Sequence, residues 1–99
     1  MEKDKKDVKI DIKVDESVAT GIFSNFANIS HSPDEFVIDF LFVNPTPPGF
    51  GKLVSRLILT PGHAKRILLA ITDNIRKYED NFGEIKVSNV PEKIRRNLQ

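Results

Sequence analysis

The 99-residue chain is predicted to adopt an α+β fold, an antiparallel sheet of about four strands followed by one long amphipathic helix packed on one face. Three features carry the prediction. Between residues 8 and 60 the apolar side chains alternate or run together in short segments bounded by turn-forming residues, which is how half-buried and buried strands are written. The two most apolar segments are separated by a stretch of prolines and glycines, as in a hairpin. From Thr60 to Gly83 the period changes to that of a helix.

Met1-Glu-Lys-Asp-Lys-Lys-Asp7 is charged almost throughout and reads as a solvated tail, so the single domain is expected at 8–90. Val8, Ile10, Ile12 and Val14 alternate with Lys9, Asp11 and Lys13, the period of two that marks a first strand. Residues 15–21 carry no strand pattern and are expected to hold a turn or an irregular approach. A second strand follows at 22–29, and Ser30-His-Ser-Pro-Asp34 reads as a turn, with proline fixing φ and the serines and aspartate able to close local hydrogen bonds.

Residues 35–43 are almost continuously apolar and residues 52–60 carry Leu53, Val54, Leu57, Ile58 and Leu59, so the two are expected to pair as an antiparallel hairpin. Between them lies Asn44-Pro-Thr-Pro-Pro-Gly-Phe-Gly51, whose three prolines and two glycines are excluded from a central ladder. Symmetric closure of that loop places Asp39 opposite Arg56 and Phe40 opposite Ser55. In this register Phe36, Ile38, Phe40, Phe42, Leu53, Leu57 and Leu59 share one face, and Val37, Asp39, Leu41, Val54, Arg56 and Ile58 share the other.

In the helix, Ala64, Ile67, Leu68, Ile71, Ile75, Tyr78 and Phe82 fall on one stripe, opposite Lys65, Thr72, Asp73, Arg76, Glu79 and Asp80. Thr60 is the expected N-cap and Pro61 the first helical residue, where a missing N–H removes no bond. Gly83 is expected to end the helix in a left-handed conformation. Asp73 and Lys77 are spaced for a surface pair. Leu69 interrupts the polar side. Beyond the helix, residues 84–87 read as a brief fifth strand or an extended tail, and 91–99 as a basic C-terminal tail or short helix carrying Lys93, Arg95 and Arg96.

The stretches Phe26-Ala-Asn-Ile-Ser-His-Ser-Pro-Asp-Glu-Phe-Val-Ile-Asp-Phe40 and Ser55-Arg-Leu-Ile-Leu-Thr-Pro-Gly-His-Ala-Lys-Arg66 resemble a prokaryotic family of short proteins classed as a domain of unknown function. Its Ser-x-Ser-Pro-x-Glu-Phe strand opening, Ser-Arg strand and Pro-x-His-Ala-Lys helix start recur in this order over roughly residues 20–85. The resemblance implies no activity. In order of elements alone the chain also resembles the SecB family of export chaperones, whose sheet is followed by a long helix and whose subunits tetramerise. That likeness implies a chaperone-like binding of apolar polypeptide as an alternative function.

A formal charge of +1 argues against strong electrostatic attachment to nucleic acid or an anionic membrane. Lys65, Arg66, Arg76 and Lys77 share the helix surface with Asp73, Glu79 and Asp80, so single-stranded nucleic-acid binding is kept only as a further alternative. The chain has no cysteine, no apolar run of membrane length and no secretory leader, which together lead to the expectation of a cytoplasmic protein. No cofactor is expected.

His31 and His63 are candidate ligand contacts, although two histidines without a third ligand make a poor metal site. His31 with Ser30, Ser32 and Asp34 has the residue types of nucleophilic catalysis without the geometry that a triad demands. Pro45-Thr-Pro-Pro48 matches a P-x-x-P ligand, but a rigid hairpin end accounts for it. Phe50, a ring among prolines and glycines, is a third candidate contact. Asp39 and Arg56 read as a structural ion pair that fixes register. The function expected is therefore non-catalytic: a homo-oligomeric binding or interaction protein, most simply a dimer. Its interface is expected at Val37, Leu41, Val54, Ile58 and Leu69, which a monomer would leave in water.

Overall fold

The computed structural model describes residues 7–87, so the expected charged tail at 1–7, apart from Asp7, and the expected basic segment at 91–99 lie outside the described residues. A single helical turn, α1 (Glu16–Ala19), precedes three strands, β1 (Phe26–His31), β2 (Phe36–Asn44) and β3 (Phe50–Leu59), and one long helix, α2 (Pro61–Phe82). The strands form one antiparallel sheet in the order β1-β2-β3. The architecture is α+β, with three strands rather than about four.

The missing strand is residues 8–14, which join no ladder although their alternation is that of a strand. Periodicity records which side chains can share a face; it does not supply a partner backbone, which a strand needs for its N–H and C=O groups. The chain between this segment and β1 is taken up by α1, by Gly21 at φ +81° and by an irregular approach, and Val8, Ile10, Ile12 and Val14 stay exposed. Residues 22–25, expected within a strand, belong to that approach. Asn25 there replaces strand backbone with side chain: its Nδ2 donates to the Val43 carbonyl at 2.9 Å and its Oδ1 accepts the Val43 N–H at 2.9 Å. Its own N–H donates to the Leu41 carbonyl, which the Ser24 hydroxyl also reaches.

Ser30 and His31, expected in a turn, extend β1, and the hairpin to β2 closes through Ser32 N–H donating to the Glu35 carbonyl. The β2–β3 register places Asp39 against Arg56 and Phe40 against Ser55, then slips so that Leu41 faces Leu53. Val54 is the extra residue of a bulge. The slip moves Leu53 to the face of Asp39 and Leu41, reversing the sequence-based assignment of Leu53 and Val54. It also draws Phe50 and Gly51 into the ladder opposite Asn44 and Val43, which an edge strand tolerates.

Thr60 caps α2: its Oγ1 accepts the His63 N–H at 3.2 Å and Pro61 is the first helical residue. Gly83 ends the helix at φ +99°, ψ 169°, an extended conformation open essentially to glycine alone rather than the expected left-handed one. Its N–H donates to the Glu79 carbonyl, and the Glu79 carboxylate accepts the Ile85 N–H at 2.9 Å. This bond accounts for residues 84–87 forming no fifth strand: the chain folds back on the end of α2 instead, with Ile85 beside Ile71, Ile75 and Tyr78.

The helix is not laid across the sheet within the chain. No residue of α2 is buried, and contacts between elements are concentrated on the β1–β2 and β2–β3 pairs. The reason is local. Only Thr60 separates the last residue of β3 from the first of α2, whereas a helix that doubles back over its own strand needs a reversing connection of roughly 2–6 residues. The radius of gyration is accordingly 17.7 Å, against about 13 Å for a close-packed domain of 100 residues. Among the described residues Leu41 and Leu59, 8% and 9% exposed, make up the buried core.

Candidate functional site

Direct pairing in the ladder sorts the sheet into two faces. One carries Ala27, Ile29 and His31 of β1, Phe36, Ile38 and Phe40 of β2, and Ser55, Leu57 and Leu59 of β3. The other carries Phe26, Asn28 and Ser30, then Val37, Asp39 and Leu41, then Leu53, Arg56 and Ile58. Among the described residues no second layer of secondary structure covers either face.

At the centre of the second face Arg56 forks onto Asp39, Nε donating to Oδ1 at 2.6 Å and Nη2 to Oδ2 at 3.1 Å. Asp39 is flanked on the other side by Asn28, and its side chain keeps 17% exposure while that of Arg56 keeps 53%. The hydrogen bonds from Arg56 hold the Asp39 carboxyl below the usual carboxylate range and raise the guanidinium in turn. Both carboxylate oxygens and two guanidinium nitrogens are thus engaged inside the sheet, which leaves the pair little capacity to fork onto a ligand carboxylate. Val37 and Ile58 pair beside them, Leu41 on the same face is already buried, and Val54 has left it through the bulge. Leu69, on α2, is 60% exposed.

The first face holds an open groove of about 780 Å³. Its floor crosses all three strands at Ala27, Phe40 and Val54, and its wall is the approach segment with Val18 and Ile22. Apolar side chains dominate it, with serine and asparagine at the rim. The bulge creates part of this groove by turning Val54 toward Phe40 and Ser55. Pairwise alternation therefore missed Val54 as a groove residue. The alternation of the strand carries no signal of that slip.

The two histidines are treated differently. The His31 ring stacks on Phe36 with centroids 5.4 Å apart, and His63 is bound into the helix cap through its backbone. The ladder from His31 through Phe36 to Leu59, four residues before His63, puts both at one end of the sheet. Among the described residues no three histidine, aspartate or glutamate side chains gather as a metal would need. Ser32 Oγ accepts the Asp34 N–H, a turn bond. Phe50 stays exposed at the opposite end of the sheet, paired with Asn44.

On α2 the stripe of Leu68, Ile71, Ile75, Tyr78 and Phe82 is exposed, with the Tyr78 and Phe82 rings 4.9 Å apart. Its reverse carries Asp73 between Arg76 at 2.6 Å and Lys77 at 3.2 Å. The hydrogen bonds from Lys77 and then Arg76 lower the Asp73 pKa. Among the described residues no helix is long and apolar enough to cross a membrane.

Exposed apolar side chains thus lie on the sheet and along α2. No curated protein and no solved structure is significantly similar to the chain. A family model described as "Protein of unknown function (DUF3467)" matches residues 1–87, and the chain belongs to that family.

Proposed function

We propose that the chain is a non-catalytic, homo-oligomeric binding protein, most simply a dimer, whose apolar sheet faces are covered by protein surface. The observation that carries this reading is the small number of buried residues: among those described only Leu41 and Leu59 are in a core, while Ile29, Leu53, Leu57 and Ile58 of the strands stand exposed. Contiguous apolar patches beyond a few hundred Å² are rare on monomeric proteins and mark interaction sites. Around the Asp39–Arg56 pair, Val37, Leu53, Ile58 and Phe26 offer a face that can meet its own copy about a two-fold axis, the commonest closed symmetry. The ion pair fixes the orientation of that contact more than its strength.

Sedimentation equilibrium at low micromolar concentration tests the proposal. The wild-type chain is expected to associate, and Ile58→Asp, at a position 63% exposed, to weaken association without unfolding the sheet. A folded wild-type monomer at that concentration sinks the reading. A chaperone-like function is the second reading, and the apolar groove over Ala27, Phe40 and Val54 favours it. It requires binding of a fluorescent hydrophobic probe and suppression of a client's aggregation. Single-stranded nucleic-acid binding is disfavoured by the near-neutral charge, and would announce itself as affinity falling steeply with salt. The absence of cysteine from the sequence fits a reducing compartment, and we place the protein in the cytoplasm.

A further inference from the structure

We propose that two copies of the chain exchange helices, α2 of each lying across the face of the partner's sheet that carries Ile29, Ile38, Phe40 and Leu57. The inference rests on the self-association argued above and specifies one surface through which it occurs. Its first support is complementarity. The stripe of α2 and this sheet face are both apolar and each is of the kind that covers the other: Leu68, Ile71, Ile75, Tyr78 and Phe82 of the helix and Ile29 and Leu57 of the face are exposed, while Ile38 and Phe40 are half-buried. Ile85 shields only the edge of the stripe, since Ile71 and Ile75 remain 52% and 42% exposed.

The second support is the connection. Thr60, extended at φ −68° and ψ 154°, is the whole link between β3 and α2. Its hydroxyl is committed to the His63 N–H, and Pro61 restricts it further, because the residue before a proline is held in the extended region. No residue remains to reverse the chain direction, so the helix is carried away from its own sheet. Two complementary surfaces joined by a hinge too short to close is the arrangement in which identical elements are exchanged between copies.

The third support is size. Ten residues of β3 span about 33 Å at 3.3 Å each, and the 22 residues of α2 span about 33 Å at 1.5 Å each. One helix therefore covers the length of one sheet. If each helix-on-sheet contact removes roughly 400 Å² from both surfaces, two reciprocal contacts total roughly 1,600 Å², the standard size of a stable interface. A second copy is favoured over an unrelated polypeptide because every copy of the sheet comes with a copy of its cover. The face around Asp39 and Arg56 is left free for the two-fold contact proposed above.

The cysteine-free chain allows a direct test. Ile29→Cys and Ile71→Cys chains are mixed, unfolded and refolded together, then oxidised. Covalent heterodimers in excess of either homodimer are expected, together with interchain rather than intrachain disulfides in the double variant. Intrachain disulfides alone overturn the exchange. In a second arm about six Gly/Ser residues, enough for a reversing connection, are inserted between Leu59 and Thr60. Because a tethered helix then competes at a high effective concentration, the concentration for half-association is expected to rise at least about tenfold. An unchanged association constant overturns the exchange. A wild-type monomer in sedimentation overturns both this inference and the homo-oligomer reading, whereas an oligomer without interchain Ile29→Cys to Ile71→Cys linkage overturns only the exchange.

Discussion

At the scale of single residues, the Asp39–Arg56 fork shows how a charged pair is maintained on an apolar face. Asp39 retains little contact with water, so the two guanidinium bonds replace the hydration it has lost. Arg56→Met is expected to destabilise the fold by leaving that carboxylate without its partner, and Asp39→Leu combined with Arg56→Met to recover much of the loss. A double variant no more stable than Arg56→Met in urea would count against the pair as the cause. The pH dependence follows from the sign of the shift. A carboxyl held below its unfolded value of about 3.9 contributes stability that is fully present above that value and is lost as pH falls through the lowered one. Asp73 acts in the same acid window, so the comparison needed is wild type against Arg56→Met, whose acid limb is expected to be shallower. Asn25 is a second case of one residue replacing a larger device. Its amide satisfies both polar groups of Val43, and Asn25→Ala is expected to cost about 1 kcal/mol and to raise hydrogen exchange at the Val43 N–H. Unaltered exchange at Val43 would show the bond to be dispensable.

At the scale of elements, what was legible in the sequence follows local chemistry. The β2–β3 hairpin was readable because its apolar runs flank an unambiguous breaker, and the helix because Thr60, Pro61 and Gly83 punctuate a 3.6-residue period. Gly83 was readable as a stop, but its backbone conformation depended on the chain folding back to bring the Ile85 N–H to the Glu79 carboxylate, a contact no period encodes. The slip at Val54 was illegible for a related reason: alternation assumes that each residue has one partner, and a bulge breaks that assumption in the middle of a strand. Residues 8–14 show the converse, a strand-like pattern whose ladder partner is not in the described chain. The cap carries a prediction at this scale. Thr60→Ala removes the acceptor of the His63 N–H and is expected to destabilise the fold by about 1 kcal/mol, read as a lower urea midpoint at unchanged slope. An equal midpoint would mean that Pro61 alone positions the first turn.

At the scale of the whole molecule, composition and order of elements led to the α+β architecture, while the relation of helix to sheet was invisible because it turns on the length of one connection. The candidate surfaces and their division between the two sides of the sheet were legible from alternation, except at Leu53 and Val54, whose sides depend on the bulge. The same reasoning gives a prediction about stability. A chain that buries only Leu41 and Leu59 among its described residues has a small core to set against the conformational entropy of about 1–2 kcal/mol per ordered residue. If its apolar faces are instead covered by copies of itself, folding and association are one equilibrium, and stability becomes inseparable from protomer concentration. For a dimer that unfolds to two chains, each tenfold rise in concentration adds about 1.4 kcal/mol to the apparent stability per dimer. The urea midpoint is therefore expected to climb steadily between about 1 and 100 µM, at a slope that stays constant because the same surface is exposed throughout. Ile58→Asp is expected to lower the midpoint at every concentration while leaving the secondary structure of the associated form intact. A midpoint independent of concentration over that range would mean that the fold stands alone as a monomer, and the argument from exposed apolar surface to self-association would fail.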